Sequence, residues 1–162
     1  MHPLLLLQLL ALLILANGTP VIGAKLFGGR FAWPLDGDMR FLDGRRLLGR
    51  SKTVRGIVLS ILVTTAGAPL IGLAPETGAI VGSTAMAGDL FSSFIKRRAD
   101  LPPSSRATLL DQIPESLFPL LACGAILPIG GADIALGVAA FTVGEIGVSR
   151  VLYRWKLRDR PY

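Results

Sequence analysis

The chain has 162 residues, of which 51% are hydrophobic and only 17% are charged, and its formal net charge is +6. The charged fraction is low for a soluble domain, and a mean hydropathy of +0.58 is hard to reconcile with a water-facing surface. Low charge density and 7% aromatic residues argue against a nucleic-acid module, and the hydrophobicity excludes a disordered chain. The single cysteine, Cys123, excludes a disulfide scaffold and a cysteine-based metal site, and we interpret it as a packing residue.

The positions of the basic residues predict membrane spans. All 17 lysines and arginines fall in residues 25–55, 96–106 and 150–160, so that residues 56–95 and 107–149 carry none. A soluble helix interleaves charges with its apolar stripe, whereas a membrane span needs roughly 20 mainly apolar residues. The pattern predicts an all-α, polytopic integral membrane protein with a single membrane domain of five transmembrane helices. The spans are expected at about 3–24, 56–73, 77–95, 112–129 and 132–151.

The basic zones also predict the topology. Lysine and arginine collect on the cytoplasmic side of a membrane, which places loops 25–55 and 96–111 and the tail 152–162 in the cytoplasm. The amino terminus is then outside and the carboxyl terminus inside, in agreement with five spans. The first apolar stretch could instead be a signal peptide, but no fixed positive charge precedes Leu4, which favours a span.

Two groups of ionisable residues lie in or beside the spans, where such residues are costly and suggest a functional site. Asp89, Ser93 and Lys96 occupy one helix stripe at i, i+4 and i+7, running towards the cytoplasmic surface. Asp111 and Glu115 are four residues apart at the start of the fourth span. Two interpretations stay open. In the first, Asp89 is paired within a packed helix, and Asp111 and Glu115 are acids favoured at a helix start. In the second, the carboxylates of Asp89 and Asp111 together hold Mg²⁺ with substrate phosphates.

Two further acids are interpreted from their positions in the predicted topology. Asp133 falls in an outside turn and is expected to be solvated. Glu145 lies inside the fifth span, where a buried hydrogen bond and a role in the site are both open.

The loop 25–55 is rich in glycine and basic residues. Its segment 49–53 has the glycine, lysine and hydroxyl of a phosphate-binding loop but lacks the first glycine of that motif, so a P-loop NTPase is excluded. Lys52, Arg55 and backbone amides remain candidates to hold phosphates, with binding of anionic lipid as the alternative.

Four blocks, in order over residues 16–112, resemble the CDP-archaeol synthases, a small branch of the membrane CTP:phosphatidate cytidylyltransferases. The blocks are ANGTP at 16–20, PLD at 34–36 with DGRRLLG at 43–49, KTVRG at 52–56, and GDLFSSFIKRR at 88–98 closing on LDQ at 110–112. The last block is the most specific of the four. The chain departs from the family where a second aspartate is replaced by Pro114, and Glu115 is the candidate substitute.

The resemblance implies a CTP-dependent nucleotidyltransferase of the plasma membrane, with its active site facing the cytoplasm. Its substrates would be CTP and a lipid phosphate, either phosphatidate or an archaeal ether-lipid phosphate, and its products a CDP-lipid and pyrophosphate. The implied metal ligands, for Mg²⁺, are Asp89 and Asp111, and the implied catalytic residues are Lys52, Arg55, Lys96 and Arg97. The residues assigned to substrate binding are Asn17, Asp36, Asp43, Arg46, Thr53, Ser93 and Arg98.

Other functions also fit the charge layout. A small membrane transporter, a lipid-binding protein and a non-catalytic member of the same family remain alternatives. A CDP-alcohol phosphotransferase also uses an Asp-Gly element but needs further aspartates along the same motif. No aspartate follows Asp43 until Asp89, so this class is excluded. The oligomeric state is open, since the pair Gly78 and Gly82 can pack within one chain or between two.

Overall fold

The part of the chain that the structure describes folds into five α-helices. A computed structural model describes residues 2–101, 107 and 109–154, without the side chains of 148–154. The helices are α1 (Pro3–Phe27), α2 (Val54–Gly67, followed by a 3-10 turn at Pro69–Ile71), α3 (Pro75–Arg98), α4 (Gln112–Gly124) and α5 (Gly131–Arg154). Within these described residues the only extended pairing is two isolated bridges, Pro34 with Thr53 and Arg40 with Arg46. The predicted all-α fold is therefore confirmed, whereas most of the predicted tail 152–162 lies outside the described residues.

Three helical stretches of the described chain are long and apolar enough to cross a membrane: Pro3–Phe27, Val54–Ile71 and Pro75–Arg98. The predicted fourth span, 112–129, is helical only as far as Gly124. Proline disfavours helical backbone in the residue before it, so Pro128 limits any continuation of α4. With 13 residues α4 is about 20 Å long, less than the ~30 Å of a bilayer core. The count of five spans accordingly stays a prediction.

Helix α1 contributes much of the core. Its residues Leu9, Leu12 and Leu13 are almost completely buried, and they belong to one cluster with Val81 of α3 and Leu120 of α4. Many large apolar side chains point outward instead, as expected of a surface that faces lipid. Among them are Leu4, Leu7, Ile14, Val58, Leu62, Leu70, Leu136 and Val143.

Glycines on α3 bring its backbone against both neighbouring helices. A Cβ at Gly78 would lie 2.2 Å from the carbonyl oxygen of Thr64 on α2, and one at Gly82 would lie 2.3 Å from the Thr64 hydroxyl. The pair therefore packs inside the chain. A Cβ at Gly88 would lie 2.2 Å from the carbonyl oxygen of Pro114, so α3 and α4 almost touch beside Asp89.

At the opposite end of the bundle, the expectation for Asp133 is wrong. Its side chain is buried rather than solvated, and its carboxylate accepts backbone N–H groups from Gly130 (3.2 Å) and His2 (3.3 Å). The carboxylate thereby satisfies an amide just before α5 and ties the start of α1 to that helix. The cost of burying it is offset by these hydrogen bonds.

Candidate active site

One cavity of about 700 Å³ is lined by all five helices and by the end of the α1–α2 loop. Its polar lining includes five basic and four acidic side chains: Lys25, Lys52, Arg55, Lys96 and Arg97, and Asp89, Asp111, Glu115 and Glu145. Apolar residues such as Pro20, Ile57 and Met86 complete the wall. The cavity has the size of a small-molecule site, and both signs of charge converge on it.

Lys52 and Asp89 form the first ion pair of the cavity. The Lys52 Nζ lies 2.5 and 2.6 Å from the two carboxylate oxygens of Asp89, and each side chain is 20% exposed. Lys52 is placed by the start of α2, where Thr53 is the N-cap and its hydroxyl accepts the Gly56 N–H at 3.2 Å. The helix start thus fixes the lysine opposite the carboxylate of α3.

Lys96 and Asp111 form the second pair, with 2.6 Å between Nζ and Oδ1 and only 9% and 15% of the two side chains exposed. Asp111 precedes α4, and its other oxygen accepts the Ala107 N–H at 3.2 Å. The hydroxyl of Ser92 on α3 donates to the carbonyl oxygen of Leu110 at 2.7 Å. These bonds hold the start of α4 against α3 and keep Asp111 at the cavity.

Two glutamates extend the carboxylate cluster around Asp89. Glu115, 8% exposed, lies within hydrogen-bonding reach of Asp89 and near both Glu145 and Lys52. Glu115 therefore lies at the cavity, and its role as the substitute for the aspartate at Pro114 stays a prediction. The sequence left the role of Glu145 open, because its place depends on how α5 packs.

Nine of the thirteen residues predicted for the site line this cavity. Besides the two ion pairs, they are Asn17, Thr53, Arg55, Ser93 and Arg97. Arg55 also ties down the end of α1: it donates to the carbonyl oxygens of Gly28 and Arg30, and its guanidinium lies 5.9 Å from the centre of the Phe27 ring. Lys25 and Gln112 line the cavity too and were not predicted.

The other four predicted residues, Asp36, Asp43, Arg46 and Arg98, bind one another beside the cavity rather than lining it. We call them, with the rings of Phe41 and Phe94, the loop brace. Their assignment to substrate binding stays a prediction.

Asp36 is the buried centre of the loop brace. It is 1% exposed, and its carboxylate accepts N–H groups from Leu48 (3.1 Å) and Gly49 (2.9 Å) and the Arg46 guanidinium (3.1 Å). Burial alone would raise the pKa of Asp36, but hydrogen bonds from Gly49 and Leu48 and the Arg46 charge outweigh it, so the pKa lies below its usual range. The carboxylate is therefore ionised at neutral pH.

Arg98 attaches the loop brace to the end of α3. Its Nε lies 3.1 Å from the Asp43 carboxylate, and its Nη2 donates to the carbonyl oxygen of Arg46 at 2.7 Å. The guanidinium also lies 4.8 and 4.9 Å from the centres of the Phe41 and Phe94 rings, within the range of cation–π attraction. Loop and helix are thus joined by charge, hydrogen bonds and aromatic contact.

The carboxylates of the cavity fit Mg²⁺ only together with a phosphate ligand. Among the described residues, no group of three or more histidine, cysteine, aspartate or glutamate side chains is spaced to hold a metal alone. Mg²⁺ usually binds one or two protein carboxylates and completes its shell with water and phosphate oxygens. Asp89 and Asp111 supply such carboxylates to one cavity.

Apolar helices around a cavity of mixed charge are the arrangement expected of an enzyme that works within a membrane, and comparison with known proteins supports this class. A solved structure, "Structural insight into an intramembrane enzyme for archaeal membrane lipids biosynthesis", matches with a TM-score of 0.75 and 30% identity over 87% of this chain and 90% of that chain. Together with the three apolar helices, this similarity shows that the chain is an integral membrane protein.

The family is shown by sequence as well. A family model described as CarS-like, CDP-archaeol synthase, matches residues 1–77 and 75–162. A CDP-archaeol synthase of Pyrobaculum calidifontis is 30% identical over 91% of this chain and 90% of its own length, and one of Methanopyrus kandleri is 34% identical over 87% and 85%. The chain belongs to the CDP-archaeol synthase family.

Proposed function

We propose that the chain transfers CMP from CTP to a lipid phosphate, giving a CDP-lipid and pyrophosphate. The observation that carries this proposal is the cavity itself, in which five cations and four carboxylates meet among apolar helices. Such a place admits a water-soluble polyanion and a membrane lipid together. The enzyme class follows from membership of the family.

The reaction needs charge neutralisation more than base catalysis. An oxygen of the lipid phosphate attacks the α-phosphorus of CTP, and the bond from that phosphorus to the bridging oxygen of the β-phosphate breaks, so pyrophosphate leaves. The attacking phosphomonoester is already largely ionised, since its second pKa is about 6. No histidine is required, in agreement with a chain whose only histidine is His2. Lys52, Lys96, Arg55 and Arg97 are proposed to stabilise the negative charge on the phosphates.

We assign Asp89 and Asp111 as the residues that would hold Mg²⁺ with the triphosphate. A bound Mg²⁺ would offset negative charge on both the nucleotide and the carboxylates. Four carboxylates in the cavity would otherwise repel CTP. Lys52 and Lys96, now paired with these aspartates, are then available to the phosphates.

The names of the relatives favour an isoprenoid ether phosphate over phosphatidate as the lipid substrate. The basic zones support a cavity that opens to the cytoplasm at the plasma membrane, with five spans, an outside amino terminus and an inside carboxyl terminus.

Incorporation of label from CTP into lipid by the purified protein tests the function. We expect Mg²⁺-dependent formation of CDP-lipid, faster with an isoprenoid ether phosphate than with phosphatidate. No incorporation with either lipid would contradict the proposal and favour a transporter or a non-catalytic family member.

Single cysteines test the topology in a background with Cys123→Ser. A membrane-impermeant maleimide on intact cells should label Glu76→Cys, in the predicted outside turn, and should label Arg40→Cys only after lysis. The reverse pattern would contradict the proposed orientation.

A further inference from the structure

We infer that Asp36 is a positioning residue that fixes Lys52 at the cavity before CTP binds. The inference rests on the proposed function, in which Lys52 contacts the triphosphate. Asp36 does not line the cavity, and its negative charge would repel phosphates. Its effect on the reaction therefore has to pass through the loop that it holds.

Asp36 holds the loop through the hydrogen bonds that its carboxylate accepts. Its carboxylate accepts four donors: the N–H groups of Asp38 (3.2 Å), Leu48 (3.1 Å) and Gly49 (2.9 Å), and the Arg46 guanidinium (3.1 Å). Hydrogen bonds to an ionised group are stronger than neutral ones, and Asp36 is 1% exposed, so water competes little for them. One side chain thus closes a loop between two residues that are 13 positions apart in the sequence, Asp36 and Gly49.

Backbone hydrogen bonds connect Lys52 to the residues that Asp36 holds. The backbone N–H of Lys52 donates to the carbonyl oxygen of Gly49 at 3.2 Å, and its carbonyl oxygen accepts the N–H of Leu35 at 2.8 Å. Gly49 is held by the Asp36 carboxylate, and Leu35 is the residue directly before Asp36. Both backbone polar groups of Lys52 are therefore anchored to residues that Asp36 fixes.

The turn at Gly49 also lies against Arg97. Gly49 has a φ of +100°, in the region that favours glycine, and a Cβ there would lie 3.0 Å from Nη1 of Arg97. The turn that Asp36 holds thus carries Lys52 to Asp89 and also lies against a second cation of the cavity. Loss of the Asp36 contacts should loosen both cations.

The experiment uses the full chain, with Asp36→Asn as the variant and Asp38→Asn as the matched control. Asp38 lies on the same loop and also pairs with Arg46, but its side chain is 61% exposed and holds none of the amides. For Asp36→Asn we expect the KM for CTP to rise about tenfold with the KM for the lipid unchanged, and the Tm to fall only slightly, because the lost contacts are confined to the loop. The control should keep both KM values within about twofold.

A double-mutant cycle shows whether Asp36 acts through Lys52. In a Lys52→Ala background, Asp36→Asn should raise the KM for CTP by less than about twofold, since the residue that it positions is gone. An equal rise in both backgrounds would overturn the inference, as would an unchanged KM for CTP or a lower kcat without any change in the KM for CTP. Should Asp36→Asn fail to fold, Arg46→Gln replaces the charged donor to Asp36 with a shorter, neutral one. It should raise the KM for CTP severalfold when Lys52 is present and not in the Lys52→Ala background.

Trypsin cleavage after Lys52 tests the same inference without the reaction. In the absence of CTP, Asp36→Asn should be cleaved there about ten times faster than the unmodified protein and than Asp38→Asn. Equal cleavage rates would overturn the positioning role even in a protein that transfers no CMP. Absence of CMP transfer with faster cleavage would instead contradict the proposed function alone.

Discussion

The cavity and the loop brace both pair carboxylates with basic side chains, but the number and the burial of the partners differ between the two regions. In the cavity, the lysine side chains pair with carboxylates that stay 15–20% exposed, as in Lys52 with Asp89 and Lys96 with Asp111. In the loop brace, Asp36 accepts four donors at 1% exposure, and Arg98 combines a carboxylate, a carbonyl and two rings. A lysine on a flexible stem can leave one carboxylate for a phosphate, whereas a group with several buried partners cannot leave without breaking the loop. We therefore expect the cavity to exchange partners and the loop brace to stay fixed.

The largest effect should come from Asp89→Asn in the cavity. The substitution removes the partner of Lys52 and one proposed carboxylate ligand, so the rate of CMP transfer should fall about a thousandfold while the protein stays folded. Label incorporation and Tm measure the two quantities. Glu76→Gln, which removes an exposed carboxylate at the other end of α3, is the control and should keep the rate. Full activity of Asp89→Asn would show that the cavity carboxylate takes no part.

Gly88→Ala should separate the helices that bring the two halves of the cavity together. The new Cβ would lie 2.2 Å from the Pro114 carbonyl oxygen, which the backbone cannot accept without a shift. We expect a loss of about 1–3 kcal/mol in the free energy of unfolding, with a matching fall in Tm. Gly18→Ala is the matched control, because nothing lies within 4 Å of its Cβ. Equal Tm values for both variants would contradict the close approach of α3 and α4.

Arg98→Lys should weaken the loop brace without removing charge. Lysine lacks the planar fork that reaches Asp43 and the Arg46 carbonyl at once and stacks between the rings. The KM for CTP should rise about fivefold with the rate at saturation little changed. Arg50→Lys, at a side chain that is 78% exposed, should change it by less than about twofold. A thousandfold loss in Arg98→Lys would place Arg98 in the reaction itself.

The smallest effect should be a change in the loop brace at low pH, where Asp36 becomes protonated. The pKa of Asp36 is lower in the folded protein than in the unfolded chain, so its ionised form stabilises the loop above about pH 4, and this contribution is lost as the pH falls through the folded pKa. Fluorescence of Trp33, in a variant with Trp155→Phe, should stay constant from pH 7 to about 4 and change only below that. Asp36→Asn should lack this acid step. A step near pH 6 that depends on Asp36 would contradict the lowered pKa.

Much of this architecture could be predicted because charge avoids lipid. The gaps between basic zones located all five helices, and the i, i+4, i+7 stripe placed Asp89, Ser93 and Lys96 on one cavity wall. The end of α4 was missed, since apolar composition alone does not show where a helix stops. The burial of Asp133 was missed because one of the two residues that donate to its carboxylate, His2, lies 131 residues away.

The difference between the cavity and the loop brace also could not be predicted from the sequence. Asp36, Asp43, Arg46 and Arg98 are charged residues in motifs, and a motif does not tell whether a charge faces a substrate or another side chain. That depends on how the loop folds back on α3, which only the contacts of Asp36 and Arg98 reveal.

The central claim is that the cavity transfers CMP, and the fate of two labels tests it most directly. Purified protein is given Mg²⁺, an isoprenoid ether phosphate and CTP labelled on either the α- or the γ-phosphate. The account predicts that α-label enters the lipid, that γ-label leaves as pyrophosphate, and that both rates fall about a thousandfold with Asp89→Asn. Entry of γ-label into lipid, or equal transfer of α-label by Asp89→Asn, would contradict it.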